Sequence, residues 1–182
     1  MKKRFVSCFV LALLGSLNVL AYDFESDGIY YTITGSNTVS VVSGDYVYDG
    51  DVTIPQAVGL SGKTYLVTAI GENAFKSATN LESVTLPEGL IIIGNQAFYQ
   101  SGVKTVSLPS TLSSMGTSAF RECTNLQGIV LPDALKDIKE YAFYGCTNMK
   151  TLVFGVQTVT IEKYAFSNTS IEIARSEERF SR

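Results

Sequence analysis

The sequence contains no histidine. That absence removes Ser-His-Asp and Cys-His nucleophile systems, histidine general bases and zinc sites of the histidine type. Basic residues are scarce after residues 1–4, and the formal net charge is −3. Nucleic-acid binding needs a concentrated Lys/Arg footprint, so that class of partner is excluded. After the N-terminal segment no run is long and apolar enough to cross a bilayer. No nucleophile motif and no carboxylate pair stands out, so no catalytic residue, metal or cofactor is expected. What is present is apolar side chain. It makes up 46% of the 182 residues, with plentiful aromatics, which is enough to bury a core and excludes wholesale disorder.

Residues 1–21 read as a signal peptide. Lys2, Lys3 and Arg4 form a positive start, residues 5–20 a mostly apolar stretch, and Val19 and Ala21 suit the −3 and −1 positions of cleavage after Ala21. The apolar stretch is short for a stable span. The expectation is an exported chain, secreted or held at the cell surface, with no membrane span after cleavage. An uncleaved anchor is the alternative; a lipid on Cys8 is rejected because too little apolar sequence precedes it.

Self-similarity decides the architecture. Ala-Phe recurs at Phe75, Phe98, Phe120, Phe143 and Phe166, in steps of 23, 22, 23 and 23 residues. Four residues before each Ala stands Ile70, Ile93, Met115, Ile138 or Ile161. Between the pairs come Leu86-Pro87, Leu108-Pro109 and Leu131-Pro132, replaced in the fourth unit by Phe154-Gly155. The segments at Val84, Val106, Ile129 and Leu152 alternate in the period of a strand. Proline then ends each strand, because it cannot donate to a ladder. The Leu-x-x-Ile-Gly-x-x-Ala-Phe stretch suits a 3₁₀ or irregular turn on the far side of a coil. Equivalent positions then stack at the strand spacing, about 4.7–4.9 Å. The five phenylalanines are expected to form one buried column, each contributing roughly 1.5–3 kcal/mol by burial. The column Ala78, Ser101, Cys123, Cys146 and Thr169 holds only small side chains and implies a tight corner. Asn80, Asn125 and Asn148 are expected to bond turn backbone.

In these units the sequence resembles the BspA-like leucine-rich repeats, common in exported proteins of Bacteroidales and some parasitic protists. The resemblance rests on Leu86-Pro87, on Gly71, Gly94 and Gly116, on the five Ala-Phe pairs, and on Cys123 and Cys146. It departs at Lys139 and Glu162, where Gly is usual, and at Gly155, where Pro is usual. The resemblance implies a β-rich solenoid, a right-handed leucine-rich-repeat coil with a parallel sheet and a concave strand face. It also implies adhesion to extracellular host proteins and no catalytic residues.

Residues 22–65 do not follow the repeat. Their short apolar runs, broken by Gly-rich turns, read as an N-terminal β-hairpin cap shielding the first coil. The repeats are expected over residues 66–174. Residues 175–182 read as a non-native tail, the in-frame translation of a sequencing adapter, with a genuine charged tail as the alternative. Residues 171–173 are expected to begin a further strand and present an open edge.

Three smaller features carry alternatives. Stacking places Cys123 and Cys146 about 5 Å apart, within disulfide reach. Their side chains point the same way, which favours two buried thiols. Asp45, Asp49 and Asp51 lack the order of a calcium loop, and a hairpin turn is preferred. Tyr46 and Tyr48 are expected to alternate on one strand face, with Tyr30, Tyr31 and Tyr65 nearby in the same cap, and to pack; a binding role, at an interface or as a sugar platform, is the alternative. The outward strand positions are the candidate binding surface: Thr85, Ser107, Val130 and Val153, flanked by Lys104 and Lys150. A mostly neutral strip suits an extracellular protein, from host or bacterium, or a glycan. An ordinary solvated sheet face remains the alternative, as does a spacer that presents a missing C-terminal domain.

Overall fold

The computed structural model describes residues 22–154 and 160–171. The signal-peptide segment, the 175–182 tail and most of the expected further strand lie outside the described residues. Fourteen short strands and no helix occur among those described. They are β1 (Phe24–Ser26), β2 (Ile29–Ile33), β3 (Thr38–Val42), β4 (Gly50–Thr53), β5 (Ala57–Leu60), β6 (Lys63–Ile70), β7 (Leu81–Thr85), β8 (Ile92–Ile93), β9 (Thr105–Ser107), β10 (Ser114–Met115), β11 (Gly128–Val130), β12 (Asp137–Ile138), β13 (Thr151–Val153) and β14 (Thr160–Ile161).

The chain winds as a β-rich solenoid whose coils pair in parallel. One face carries β4-β7-β9 and then β11-β13. A second face carries β3-β6-β8-β10 and then β12-β14. This second ladder differs from the far-side turn expected from sequence. Ile93, Met115 and Ile138 each sit in a two-residue strand before the turn begins. Two residues are too few to show alternation, so the strand leaves no periodic trace in the sequence.

The third side is a corner, also laddered. Phe75 N donates to Ala97 O (2.7 Å), Phe98 N to Ala119 O (2.8 Å), Phe120 N to Ala142 O (2.8 Å) and Phe143 N to Ala165 O (2.8 Å). Each coil thus hands its corner amides to the next, which satisfies backbone groups that burial would otherwise orphan. The geometry needs a left-handed residue just before each Ala: Asn73, Gln96, Ser118, Tyr141 and Tyr164 all have φ between 52° and 58°.

Inside, the Phe rings stack with centroids 4.9, 4.7, 5.4 and 5.3 Å apart and planes within 3–6° of parallel. Phe75, Phe98, Phe120 and Phe143 are fully buried. Phe166 is only half-buried, a correction to the expected five-member buried column, because among the described residues a single ring, Phe143, stacks on it. At the other end Tyr48 lies 4.6 Å from Phe75 and extends the column into the cap.

Glycine fills one column where successive backbones nearly touch. A Cβ on Gly94 would lie 2.7 Å from Glu72 N, and one on Gly116 would lie 2.5 Å from Asn95 N. The next two coils place Lys139 and Glu162 there instead, and these two pair at 2.9 Å. Glu162 also accepts from Glu140 N at 3.0 Å. The two departures from the repeat therefore stand in adjacent coils and pair with one another.

The cap begins with a β1–β2 hairpin and an antiparallel β2–β3 pair, and β5–β6 forms a second hairpin. Parallel pairing reaches back into it: β3 pairs with β6 and β4 with β7. Tyr46 and Tyr48 do not share a strand. They lie in the loop before β4, Tyr46 78% exposed and Tyr48 7% exposed. Tyr48 OH donates to Val42 O (2.8 Å) and accepts from Tyr30 N (3.0 Å), which draws that ring inward.

Candidate binding surface

The strand face is built by simple alternation. Val84, Val106 and Ile129 turn inward and are buried, while their neighbours turn out. Ser83 aligns with Thr105 and Thr85 with Ser107. Gly128 aligns with Thr151 and Val130 with Val153. A backbone bond carries the strip across the break between β9 and β11, from Gln127 N to Lys104 O (3.1 Å), and the same bond recurs before β13, from Lys150 N to Gln127 O (2.9 Å). The outward residues named from sequence therefore do lie along one strip.

Its character changes along the axis. Thr85 and Ser107 present hydroxyls, whereas Val130 is 62% exposed and Val153 47% exposed, side by side. Phe154, 41% exposed, follows in the inward column of Leu86 and Leu131 and meets Phe166 edge to face at 6.3 Å. Lys104 is held by Glu82 at 3.2 Å, an exposed pair whose worth is under about 1 kcal/mol. Beside the strands an open depression of about 560 Å³ is lined by Lys104, Asn125, Gln127, Asn148, Lys150 and Thr151. The asparagines fix its floor, as expected of turn-bonding side chains: Asn125 Nδ2 donates to Gly102 O (3.3 Å) and Asn148 Nδ2 to Thr124 O (2.8 Å).

Two parts of the surface were not read from the sequence. First, β4 adds Asp51 and Thr53 to the strip, in register with Ser83 and Thr85. Ser83 Oγ donates to Asp51 Oδ1 at 2.5 Å. Second, a ridge runs along the corner. The Arg121 guanidinium lies 5.7 Å from the Tyr99 ring, 5.3 Å from Tyr141 and 5.2 Å from Tyr144. Tyr164 stacks on Tyr141 at 5.3 Å. Reading down the columns just before Ala and just after Phe would have revealed it; reading along the chain hides it.

Cys123 and Cys146 are unbridged and buried. Cys123 Sγ donates to Phe98 O (2.9 Å) and Cys146 Sγ to Phe120 O (3.1 Å). Burial pushes the Cys123 thiol up to about 12 and raises that of Cys146 as well, so neither is a ready nucleophile. The three aspartates weighed for calcium do not form the hairpin turn expected of them. Asp45 accepts from Tyr22 OH at 2.8 Å, and Asp51 belongs to β4. Among the described residues no group of three or more His, Cys, Asp or Glu is placed to hold a metal ion. No helix among them is long and apolar enough to cross a membrane.

The signature of the BspA type leucine rich repeat region matches residues 67–181, in six copies. The chain belongs to this family. No curated protein matches the sequence. Three solved structures share the fold of this BspA-type chain. A leucine rich cell surface protein from Faecalibacterium prausnitzii is 21% identical, with a TM-score of 0.63 over 81% of this chain and 46% of that one. The pneumococcal vaccine antigen PcpA is 24% identical, with a TM-score of 0.64 over 80% of this chain and 42% of that one. A leucine-rich repeat protein from Bacteroides capillosus is 23% identical, with a TM-score of 0.60 over 72% and 97%. The chain thus spans less than half the length of the first two.

Proposed function

We propose that this BspA-type chain is an exported, non-catalytic, adhesin-like module whose strand face docks an extracellular protein or a glycan. The observation that carries the reading is the strip itself. Its hydroxyls at Thr85 and Ser107 give way to the exposed neighbours Val130 and Val153, with Lys104 and Lys150 on the flank. An apolar patch rimmed by polar groups is what a docking surface presents, and repeat proteins commonly bind through this face. The signal-peptide reading of residues 1–21 and the likeness to a leucine rich cell surface protein from Faecalibacterium prausnitzii support placement outside the cell.

The test is binding of the full chain to immobilised matrix proteins and to a glycan array, beside a Val130→Glu/Val153→Glu variant. Both positions are exposed, so the variant is expected to fold as before by circular dichroism and to lose at least tenfold in affinity, about 1.4 kcal/mol. Retention of full affinity, or absence of any ligand for the folded parent, sinks the proposal. The second reading is a structural spacer that presents a C-terminal domain, which the greater length of the first two relatives supports. A spacer predicts that the same two substitutions change nothing in the binding of a longer natural protein.

A further inference from the structure

The cap covers the first coil on two of its sides and leaves the third open. Tyr48 lies against the Phe75 ring, and β3 pairs with β6 beside the fully buried Ile70. The strand strip instead ends at β4. That strand pairs with β7 on one side, and among the described residues no strand lies on its other side. The inward column registers the gap. Val84, Val106 and Ile129, each with a coil above and below, are buried, whereas Val52 is only half-buried.

Two bonds fix which way the β4 backbone faces. Gly50 N donates to Asn80 O (2.9 Å) and Ile54 N to Thr85 O (3.0 Å). In a parallel pair alternate residues address the same neighbour, so Gly50, Val52 and Ile54 turn their backbone groups to the β7 side. The N–H and C=O of Asp51 and Thr53 therefore point away from β7, into a groove whose far wall is the β1–β2 turn. One part, about 610 Å³, places Asp27 and Ile29 across from Asp49, Asp51 and Val52. A second, about 290 Å³, continues past Thr53 to Pro55, and the two share Asp27, Ile29 and Thr53. Tyr46 and Val47 also line the wider part and are largely exposed. An open strand edge is a template for another strand, and four backbone groups in this alternation match an extended main chain. The surroundings are acidic: residues 22–65 hold six Asp and Glu against Lys63 alone. Like charges opposed across a ladder are destabilising, so this edge disfavours a second copy of itself and favours a basic strand.

We propose that an extended, basic segment of a partner protein adds to the open edge of β4 as a further strand. Its residue level with Val52 turns inward, is apolar, and covers Val52 and Ile29. Its residues level with Asp51 and Thr53 turn outward, and the one beside Asp51 is a lysine or arginine. Asp27 and Asp49 add to the attraction. Main-chain bonds to Asp51 and Thr53 supply the affinity, and the alternating side chains supply the selectivity. The site lies at the opposite end of the strip from Val130 and Val153. The Val130→Glu/Val153→Glu variant leaves it untouched, so this proposal and the strand-face reading fail separately.

The probe is a blocked heptapeptide of alternating valine and lysine, titrated into the full chain and read by amide NMR shifts and hydrogen exchange. Saturable shifts at Asp51 and Thr53 are expected, with exchange of those amides slowed at least about tenfold at saturation. Two isomers of the peptide test the strand geometry, one N-methylated on its valines and one on its lysines. Each lacks the donors of one edge only, and a single edge faces β4. One isomer is therefore expected to bind at least about tenfold more weakly and the other within about twofold of the parent. Glutamate in place of lysine is expected to weaken binding at least about tenfold. Thr53→Pro removes an N–H from the open edge and no bond to β7, so the melting temperature holds while peptide binding falls at least about tenfold. If that variant does not fold, the two isomers still decide. No binding, equal behaviour of the two isomers, or full binding of the glutamate peptide overturns the proposal. Shifts confined to residues remote from β4 overturn it equally.

Discussion

Phe75 and Phe166 hold the same position in the first and last coils of the column, and their surroundings differ on one side only. Phe75 is 1% exposed, with Phe98 stacked on one face at 4.9 Å and Tyr48 from the cap on the other at 4.6 Å. Among the described residues, Phe166 has Phe143 stacked at 5.3 Å and otherwise only a T-shaped contact with Phe154 at 6.3 Å. The position four residues before Ala tells the same story: Ile70 is fully buried and Ile161 is 51% exposed. In a stack each unit gains from two neighbours, and a unit with one neighbour keeps roughly half the gain. A cap is therefore a replacement neighbour, and Tyr48 is the residue that performs the replacement.

Deleting the same ring in two places separates the two surroundings. Phe98→Ala removes a ring sandwiched between two others, and a loss of about 3–5 kcal/mol is expected. Phe166→Ala, at the end with one stacked neighbour, should cost no more than about half that. Urea unfolding of both variants measures the difference. Equal losses would mean that stacking neighbours do not set a ring's contribution.

The small-residue column gives a second contrast. Cys123 and Cys146 reach back to carbonyls of the preceding coil, whereas Thr169 bonds to Phe166 O in its own coil at 2.8 Å. A buried thiol resists ionisation when folded and ionises freely when unfolded. Above the ordinary value of 9.0 the unfolded chain releases protons that the folded chain keeps, so stability falls as pH rises. For Cys123 that fall continues to about 12, by at most about 1.4 kcal/mol per pH unit for each thiol. Unfolding midpoints at a series of alkaline pH values should drop less steeply in a Cys123→Ala/Cys146→Ala variant than in the parent. The tyrosines held high by burial act in the same direction in both proteins, so the difference in slope isolates the thiols.

The interior of the coil was legible in the sequence because it repeats. Each recurrence of Ala-Phe tests the same hypothesis, and a buried column tolerates little but the residue that fits it. Three things were not legible, each for a physical reason. The two-residue strands around Ile93, Met115 and Ile138 are too short for a period-two signal. The corner ridge of Tyr99, Arg121, Tyr141 and Tyr144 lies on half-buried positions where no fixed residue type is required, so the columns do not look like columns. The cap has no repeat to average over, and the choice between Tyr46 outside and Tyr48 inside rests on two hydrogen bonds to distant backbone. The strand strip falls between these cases. Alternation placed Thr85, Ser107, Val130 and Val153 on one face, but Asp51 and Thr53 joined them only when β4 was found in parallel register with β7.

The smallest effect tests the cap most directly. Tyr48→Phe leaves the ring in place against Phe75, so the column keeps its neighbour and its buried area. What disappears is one oxygen that accepts from Tyr30 N and donates to Val42 O. Both backbone groups then lose a partner, at a cost of about 1–2 kcal/mol in place of the larger penalty of a lost ring. If the cap works chiefly by covering the first ring, hydrogen exchange at Phe75 and Ala97 should stay as slow as in the parent while exchange at Tyr30 rises. If exchange rises equally along the whole column, the hydroxyl is what orders the loop, and the ring covers Phe75 only because its oxygen is tied down.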